Sequence, residues 1–374
     1  MRYRSRLFGW KDPYATKETE GLFLDAVREN CRFQYRHCGP YRDILDYFHF
    51  SPEDLTEYKD LENLPFLPTW VFKNYPLFSM PKKRMLIQAT SSGTKGKFSR
   101  VGFEFSGLWN GLRMVLKVGR YRNLFSLRPA HYIVLGFKPH KGNETAVTKT
   151  AYGATLFTPA LSRTFALKMK DGKYELDLEG VIKAVEKHGR GCFPVRFMGF
   201  PSYLYFMLQK MEERKISVKL PKGSKILLGG GWKQFYMEQV DKQTLYRLAE
   251  RVLGVGETDI IEFFGAVEHP ILYCDCPRHH FHVPVYSRVV IRDVDTLKPA
   301  GMEQVGLVNL ITPMTLATPI LSIMTDDLGV LHEGESCGCG NTSPYLEIIG
   351  RIGFQDIRTC AAGAADHLAQ GNHI

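Results

Sequence analysis

The sequence lacks a long hydrophobic run, because no stretch of its 374 residues approaches the roughly 18 consecutive apolar residues of a membrane-spanning helix. The opening residues MRYRSRLFGWKDPY are basic, but they contain neither the apolar segment nor the small-residue cleavage site of a secretory signal peptide. Internal repeats and low-complexity linkers are also absent. These absences predict a cytoplasmic globular protein with no membrane span.

The sequence has no signature of a common nucleic-acid-binding fold. Its formal net charge of +10 comes from 49 basic and 39 acidic residues spread along the chain. No zinc-finger spacing, basic heptad region or aromatic RNA-binding motif accompanies that charge. We therefore expect no nucleic-acid partner, and we expect the basic surface to serve an anionic substrate or partner.

Disulfide bonds are not expected, although the chain contains eight cysteines. In a chain of this length without a secretion signal, cysteines more often bind metal or react as thiols than form a disulfide framework.

Hydrophobic periodicity predicts an α/β fold with a mixed sheet. Residues 18–38 have helical periodicity, Ser51 is placed to cap a helix that begins at Pro52, and the first 80 residues are mainly helical. A later helix from Ser202 places Leu204, Met207, Leu208 and Met211 on one buried face. The predicted strands are HYIVLGF, KILLG, DIIEFF, VVIRD and VGLVNLI.

The stretch TSSGTKG, from Thr90 to Gly96, and the following Lys97 form a loop rich in hydroxyls, glycine and positive charge. Such a loop can bind phosphate through backbone N–H groups, hydroxyls and lysine. The spacing of Gly93 and Gly96 does not fit a Walker A loop. A polar surface loop without a ligand is the alternative.

Four further motifs follow this loop in the order GGGW, FGAVE, MTDDLG and IGR. Together the five motifs resemble the adenylate-forming superfamily. The resemblance implies ATP and Mg²⁺ as cofactors, with Glu268 binding magnesium, Asp327 or Asp326 binding the ribose hydroxyls, and Arg351 contacting the ribose or α-phosphate. The implied nucleotide-binding residues are Thr90, Ser91, Ser92, Gly93, Thr94, Lys95, Gly96, Lys97, Gly229, Gly230, Gly231, Phe264, Gly265, Asp326 and Asp327.

This sequence departs from the superfamily pattern at one position of the loop, and one of the other motifs has an alternative interpretation. Lys95 stands where the superfamily loop usually has a second threonine, which changes a hydroxyl donor into a cation. Asp326 and Asp327 can also be interpreted as turn acids before Gly329. The segment GFPSYL, from Gly199 to Leu204, resembles a turn near the acyl pocket of the phenylacetate-CoA ligase branch.

The end of the chain is similar to the LuxE-like acyl-protein synthetases. Only 23 residues follow Arg351, whereas the superfamily normally continues into a mobile domain that carries a catalytic lysine. The segments GGGWK and IRTCAAGAADHL resemble that family, and Cys360 matches its C-terminal cysteine. The resemblance implies activation of a fatty acid to acyl-AMP, transfer to Cys360 as a thioester, and delivery to a partner acyl reductase.

The expected domain organisation follows from the same resemblance. Residues 1–80 form a helical part packed on the main domain, residues 81–349 form the α/β domain that binds ATP, and residues 350–374 form a short segment with Cys360. The fold class is that of the large N-terminal domain of adenylate-forming enzymes, with mixed sheets flanked by helices.

A second constellation consists of cysteines and histidines. Cys274 and Cys276 precede His279, His280 and His282, and the pair Cys337 and Cys339 follows in ESCGCGN. Close cysteine pairs with histidine fit tetrahedral zinc. The phenylacetate branch has a similar pattern, which implies Cys276, His282, Cys337 and Cys339 as ligands, with Cys274 or another histidine as a substitute. We expect a structural zinc ion, and we interpret Cys31, Cys38 and Cys192 as ordinary thiols.

Two other functions remain open at this point. An acyl- or aryl-CoA ligase of the phenylacetate type would use free coenzyme A and would not need Cys360. A catalytically silent, zinc-stabilised scaffold would bind an acyl reductase or carrier without releasing pyrophosphate.

Overall fold

A computed structural model describes residues 2–91, 98–139, 151–170, 173–232 and 235–351. Helices and strands alternate along the chain and the sheets are mixed, which confirms the predicted α/β class. The helices are α1 (Arg2–Gly9), α2 (Glu20–His37), α3 (Gly39–Tyr47), α4 (Thr69–Asn74), α5 (Phe105–Tyr121), α6 (Leu178–Gly189), α7 (Pro201–Glu213) and α8 (Lys242–Leu253).

The strands are short in the first third of the chain and longer afterwards. They are β1 (Leu67–Pro68), β2 (Ile87–Thr90), β3 (Arg100–Phe103), β4 (Ala130–Phe137), β5 (Ala160–Lys170), β6 (Lys173–Leu176), β7 (Val195–Gly199), β8 (Lys225–Gly229), β9 (Ile260–Ala266), β10 (His269–Cys274), β11 (Phe281–His282), β12 (Arg288–Arg292), β13 (Val305–Ile311), β14 (Ser322–His332) and β15 (Tyr345–Arg351).

The chain divides by its internal contacts into two compact units. The terminal unit comprises Met1–Ala89, Gly93–Lys117 and Ala266–Ile374, and the central unit comprises Thr90–Ser92 and Val118–Gly265. The domain boundaries predicted at residues 80 and 349 rest on the family resemblance and stay a prediction.

The central unit is built on strands in the order β9-β8-β7-β4-β5-β6. These strands run parallel except for β6, which pairs antiparallel with β5. Helices α6, α7 and α8 bury their apolar faces in the core of this unit. The prediction for α7 is confirmed, because Leu204, Met207, Leu208 and Met211 are fully buried. Parallel strands covered by helices place their carboxyl ends along one edge, where α/β proteins bind ligands.

The terminal unit contains a sheet in the order β11-β15-β14-β13-β12, in which neighbouring strands are antiparallel. Strand β1 adds to β14 in parallel. The first 80 residues are mainly helical, as predicted, and α2 covers most of residues 18–38. The cap predicted at Ser51 is confirmed: Ser51 caps the 3₁₀ helix Pro52–Asp54 and forms a capping box with Asp54, and this helix is a single turn long.

The described cysteines form no disulfide. Among the residues described, none of the helices combines the length and the apolar character that crossing a membrane requires.

Candidate active site and metal cluster

Glycines end the central strands at the carboxyl edge of the sheet in the central unit. Gly229 ends β8 opposite Phe263 of β9, and Gly230 and Gly231 follow with φ angles of 82° and 67°. Left-handed φ angles favour glycine, and the turn consequently presents backbone without side chains. Phe264 and Gly265, the predicted aromatic-glycine motif, lie at the end of β9. The parallel pairing of β8 and β9 therefore brings two of the five motifs to the same edge.

Aromatic side chains gather beside this glycine turn. Tyr205 of α7 meets Trp232 edge to face with ring centroids 5.5 Å apart, and Phe206 meets Phe235 at 4.9 Å. Tyr203 contacts both Phe200 and Phe235, each at 5.8 Å. Sequence reasoning missed this cluster, because a loop and strand β8 separate α7 from the glycine turn in the sequence. Only the pairing of the strands in the sheet brings the two segments together. The signal was present as the aromatic residues of GFPSYLYF and GWKQF.

Glu268 lies between β9 and β10 in the terminal unit, where only 5% of its surface is exposed. A buried carboxylate that ends the FGAVE motif is a suitable hard oxygen ligand for Mg²⁺. Its assignment as a magnesium ligand stays a prediction.

Asp326, Asp327 and Arg351 come together on neighbouring strands of the terminal unit. The register of β14 and β15 pairs Asp327 with Arg351, and the guanidinium lies 3.7 Å from the Asp327 carboxylate and 3.6 Å from that of Asp326. The alternative of turn acids is wrong, since both aspartates lie inside the 11-residue strand β14. Asp327 is the less exposed of the two carboxylates, at 18% against 41%.

The hydroxyl-rich loop is only partly described. Thr90 ends β2 and Ser91 follows it, both half-buried, whereas Ser92, Gly93, Thr94, Lys95, Gly96 and Lys97 lie outside the described residues. Cys360 also lies outside the described residues. The roles predicted for these residues rest on the sequence.

Four of the predicted metal ligands are brought together by the structure. The ligand atoms of Cys276, His282, Cys337 and Cys339 all lie within 4.8 Å of one another. The Sγ atoms of Cys276 and Cys337 are 3.5 Å apart, and Nε2 of His282 is 3.2 Å from Sγ of Cys339. Three thiols and one imidazole around a common point match the donor set of a tetrahedral zinc site.

Surrounding groups orient this metal cluster. Nδ1 of His282 donates a hydrogen bond of 2.6 Å to the carbonyl oxygen of Ser343. This bond leaves Nε2 unprotonated and facing the thiols. The backbone N–H of Arg278 points at Sγ of Cys276 over 3.3 Å, and Nδ1 of His280 is 3.1 Å from Sγ of Cys337. Such contacts are typical of groups that fix the geometry of metal ligands.

Burial shapes the protonation of the cluster. It raises the pKa of the Cys276 thiol, raises that of Cys337 to about 12, and lowers the pKa of the His282 imidazole. Neutral imidazole is the form that binds metal, whereas the thiols need a cation to stabilise their thiolates. The cluster therefore fits a dication chemically as well as geometrically.

Cys274 does not belong to the gathered group of ligands. It is buried at the end of β10, two residues before Cys276. His279 also has another role, since its Nδ1 lies 2.6 Å from the buried carboxylate of Asp275.

A family model described as acyl-protein synthetase, LuxE, matches residues 6–369. The long-chain-fatty-acid–luciferin-component ligase of Aliivibrio fischeri is 25% identical over 360 residues, which cover 94% of this chain and 90% of the relative. The ligase of the same name from Vibrio harveyi is 22% identical over 97% of this chain and 93% of the relative. The phenylacetate-coenzyme A ligase of Aromatoleum evansii is 24% identical over 83% of this chain and 66% of the relative.

Solved structures of adenylate-forming ligases share the fold. The 2-hydroxyisobutyryl-CoA ligase in its postadenylation state, in complex with R3-HIB-AMP, has a TM-score of 0.66 at 15% identity and is matched over 91% of this chain and 69% of the ligase. An open conformation of that ligase also has a TM-score of 0.66, at 14% identity, over 92% of this chain and 79% of the ligase. At these identities the likeness concerns the fold.

Proposed function

Because the chain belongs to the LuxE acyl-protein synthetase family, we propose that it activates a long-chain fatty acid with ATP and then carries the acyl group as a thioester on Cys360. The curated relatives named as long-chain-fatty-acid ligases support the choice of acid. The product would pass to an acyl reductase or a similar acyl-accepting protein.

The contact of Arg351 with Asp326 and Asp327 carries the proposal for the nucleotide site. The MTDDLG and IGR motifs are more than 20 residues apart in sequence, yet β14 and β15 place their charged groups side by side. In such an arrangement the aspartate can accept hydrogen bonds from the ribose hydroxyls, and the neighbouring cation can face a phosphate. This combination suits the binding of an adenylate. Arg351 is 59% exposed, which leaves its guanidinium accessible to a ligand.

The other motifs support the same assignment. The bare backbone of Gly229, Gly230 and Gly231 offers a flat surface for adenine, and the loop from Thr90 to Lys97 offers hydroxyls and cations for phosphates. Bound magnesium, held by Glu268, would neutralise phosphate charge as pyrophosphate leaves.

The chemistry proceeds in two balanced steps. The carboxylate oxygen of the acid attacks the α-phosphorus of ATP, the bond to the bridging oxygen breaks, and pyrophosphate leaves. The Cys360 thiolate then attacks the acyl carbon, the C–O bond to AMP breaks, and AMP leaves with the electron pair. Arg358 supplies positive charge two residues from Cys360, which favours the thiolate.

The metal cluster completes the proposal as a structural zinc site. Cys276, His282, Cys337 and Cys339 would fill all four positions of a tetrahedral ion and leave none for substrate. The ion would join the segment around β11 to the turn before β15.

Acid-dependent ATP–pyrophosphate exchange tests the nucleotide site. Removal of one positioned charge donor typically slows an activation step by about 100-fold or more, and we expect a loss of that order in Arg351→Gln. Arg214→Gln is the matched control, because Arg214 also forms an exposed ion pair, with Glu179. Equal exchange in wild type and Arg351→Gln would contradict the assignment, and no exchange with any acid would favour the silent scaffold.

A further inference from the structure

Helices α1 and α5 form an open basic groove in the terminal unit. Arg2, Arg6, Lys11 and Arg113 line it together with Trp10, and no acidic side chain is among the lining residues. Arg2, Arg6 and Lys11 are exposed. None of the motifs assigned to the nucleotide or to the metal includes these residues.

Arg113 is held in place by the backbone of α1. Its Nη1 donates a hydrogen bond of 3.1 Å to the carbonyl of Ser5. Its Nη2 lies over Gly9, and a Cβ atom added at Gly9 would be 2.3 Å from this nitrogen. A larger residue at position 9 would therefore displace the guanidinium. Lys117, one helical turn further along α5, donates to the carbonyls of Phe8 and Trp10. The groove is therefore a built surface with fixed positive charge at its base.

The groove cations differ from the arginines of the neighbouring helix α2. There, Arg28 and Arg32 pair with Asp25 and Glu53. In the part of the chain that the structure describes, no carboxylate forms an ion pair with Arg2, Arg6, Lys11 or Arg113.

The nearby acids have other partners. Glu29 accepts hydrogen bonds from the backbone N–H groups of Arg2 and Arg4, which caps the start of α1. Asp12 accepts from the backbone N–H of Tyr14. Neither carboxylate forms an ion pair with a groove cation in the described part of the chain.

Helix α5, which contributes Arg113 to the groove, also carries an exposed apolar stripe. Phe105, Trp109 and Leu112 are 70%, 52% and 48% exposed, and their spacing of four and three residues places them on one face of the helix. Arg113 is adjacent to that face by helical geometry. Exposed aromatic residues beside arginines are the composition enriched in protein interfaces.

We propose that this groove docks an acidic amphipathic helix of a protein partner, with its carboxylates on the α1 cations and its apolar face on the α5 stripe. Four cations that form no ion pair with any described carboxylate fit a row of Asp and Glu side chains, and charge complementarity of this kind selects and steers partners. We take the partner to be the protein that accepts the acyl group, and this identification alone rests on the proposed function.

The spread of the groove favours a helix over a small polyanion. Arg2 and Arg6 are separated by one turn of α1, or about 6 Å along its axis, and Lys11 lies beyond the end of that helix. A compact phosphate group would engage only part of this row, and it would leave the apolar stripe uncovered.

Fluorescence anisotropy with a labelled synthetic peptide tests the proposal. The probe is a 20-residue helix with leucines on one face and glutamates on the other. We expect the triple variant Arg2→Glu, Arg6→Glu, Lys11→Glu to bind it at least about tenfold more weakly than wild type. The matched control Lys82→Glu, Lys83→Glu, Arg84→Glu removes another exposed basic cluster with the same change in net charge, and we expect it to bind within about twofold of wild type.

Two outcomes would overturn the proposal. Equal losses in the two triple variants would show that only total charge matters, and displacement of the peptide by one equivalent of tripolyphosphate would assign the groove to a small polyanion. Acylation of each variant by ATP and a fatty acid, followed by mass spectrometry, separates this test from the proposed function, because the docking variant should keep it. Loss of peptide binding with normal acylation supports the docking surface.

Discussion

At the residue scale, the buried carboxylate of Glu104 accepts hydrogen bonds from three parts of the chain. Its Oε1 accepts from Arg4 and Ser106, each at 2.9 Å, and its Oε2 accepts from the Thr315 hydroxyl at 2.7 Å and from the backbone N–H groups of Leu316 and Ala317. Burial alone would raise its pKa, but the Arg4 charge and these hydrogen bonds outweigh burial and lower the pKa. Glu104 therefore ties the first helix and the start of α5 to the loop after β13.

We predict that Glu104→Gln lowers the free energy of unfolding by about 3 kcal/mol, because it leaves the buried Arg4 guanidinium without its counter-charge. Urea denaturation followed by circular dichroism measures the change. Glu53→Gln is the matched control, since Glu53 pairs with Arg32 on an exposed surface and its loss should change the midpoint much less. Equal shifts in the two variants would contradict this role for Glu104.

The sequence did not single out Glu104, and the reason is physical. In VGFEFSG it is one acid among apolar residues, and its partners Arg4 and Thr315 are 100 and 211 residues away. By contrast, close cysteine pairs with histidine predicted a zinc site, and the resemblance to the phenylacetate branch implied the four ligands Cys276, His282, Cys337 and Cys339.

At the element scale, Gly199 lets β7 end close to β4. Its φ is 143°, and a Cβ atom there would lie 2.2 Å from the carbonyl oxygen of Leu135. Strands β4 and β7 pair in parallel with Leu135 opposite Gly199.

We predict that Gly199→Ala destabilises the protein by at least about 2 kcal/mol, since both the backbone angle and the contact with Leu135 become unfavourable. Thermal and urea unfolding measure the effect. Gly153→Ala is the control, because among the described residues outside its own helical segment no heavy atom lies within 4 Å of the added Cβ. A Gly199→Ala variant as stable as the control would show that β4 and β7 can separate without loss.

The metal cluster gives a second prediction at the element scale. Purified protein should contain about one zinc ion per chain, and His282→Ala and Cys339→Ser should lose it together with part of their thermal stability, because the bound ion joins two chain segments. Metal analysis by mass spectrometry and calorimetry measure both. Cys274→Ser is the matched control: it removes a buried thiol two residues from Cys276 but outside the cluster. Zinc retained in His282→Ala would contradict the assignment.

Elements with a clear hydrophobic pattern were predicted correctly, whereas strand β14, which contains two adjacent aspartates, was not identified as a strand. The apolar face of α7 and strand β4 followed from the sequence, because burial on one helical face or along a strand leaves a clear pattern. The adjacent aspartates of β14, Asp326 and Asp327, could be interpreted as turn residues. The surrounding sequence contains no signal that β13 and β15 pair with this strand on both sides. The capping signal at Ser51 was genuine, but the structure follows it with a 3₁₀ turn.

At the scale of the whole molecule, the order of the motifs predicted the family better than any single motif. The hydroxyl-rich loop, the glycine turn, the FGAVE motif, the aspartates and the IGR motif extend over more than 250 residues. The family match over residues 6–369 agrees with that order and with the α/β fold. The basic groove could not be predicted in the same way, since its charges come from two helices about 100 residues apart.

The central claim is that one chain both forms the acyl-adenylate and accepts the acyl group on Cys360. Intact-protein mass spectrometry after incubation with ATP, magnesium and a panel of carboxylic acids tests it most directly, on wild type and Cys360→Ala. Cys192→Ala is the matched control, since Cys192 is an exposed thiol outside the proposed site. We predict a hydroxylamine-labile acyl adduct on wild type and Cys192→Ala and none on Cys360→Ala. Pyrophosphate release without an adduct on any of the three proteins, with turnover restored by free coenzyme A, would contradict the claim and identify a CoA ligase instead.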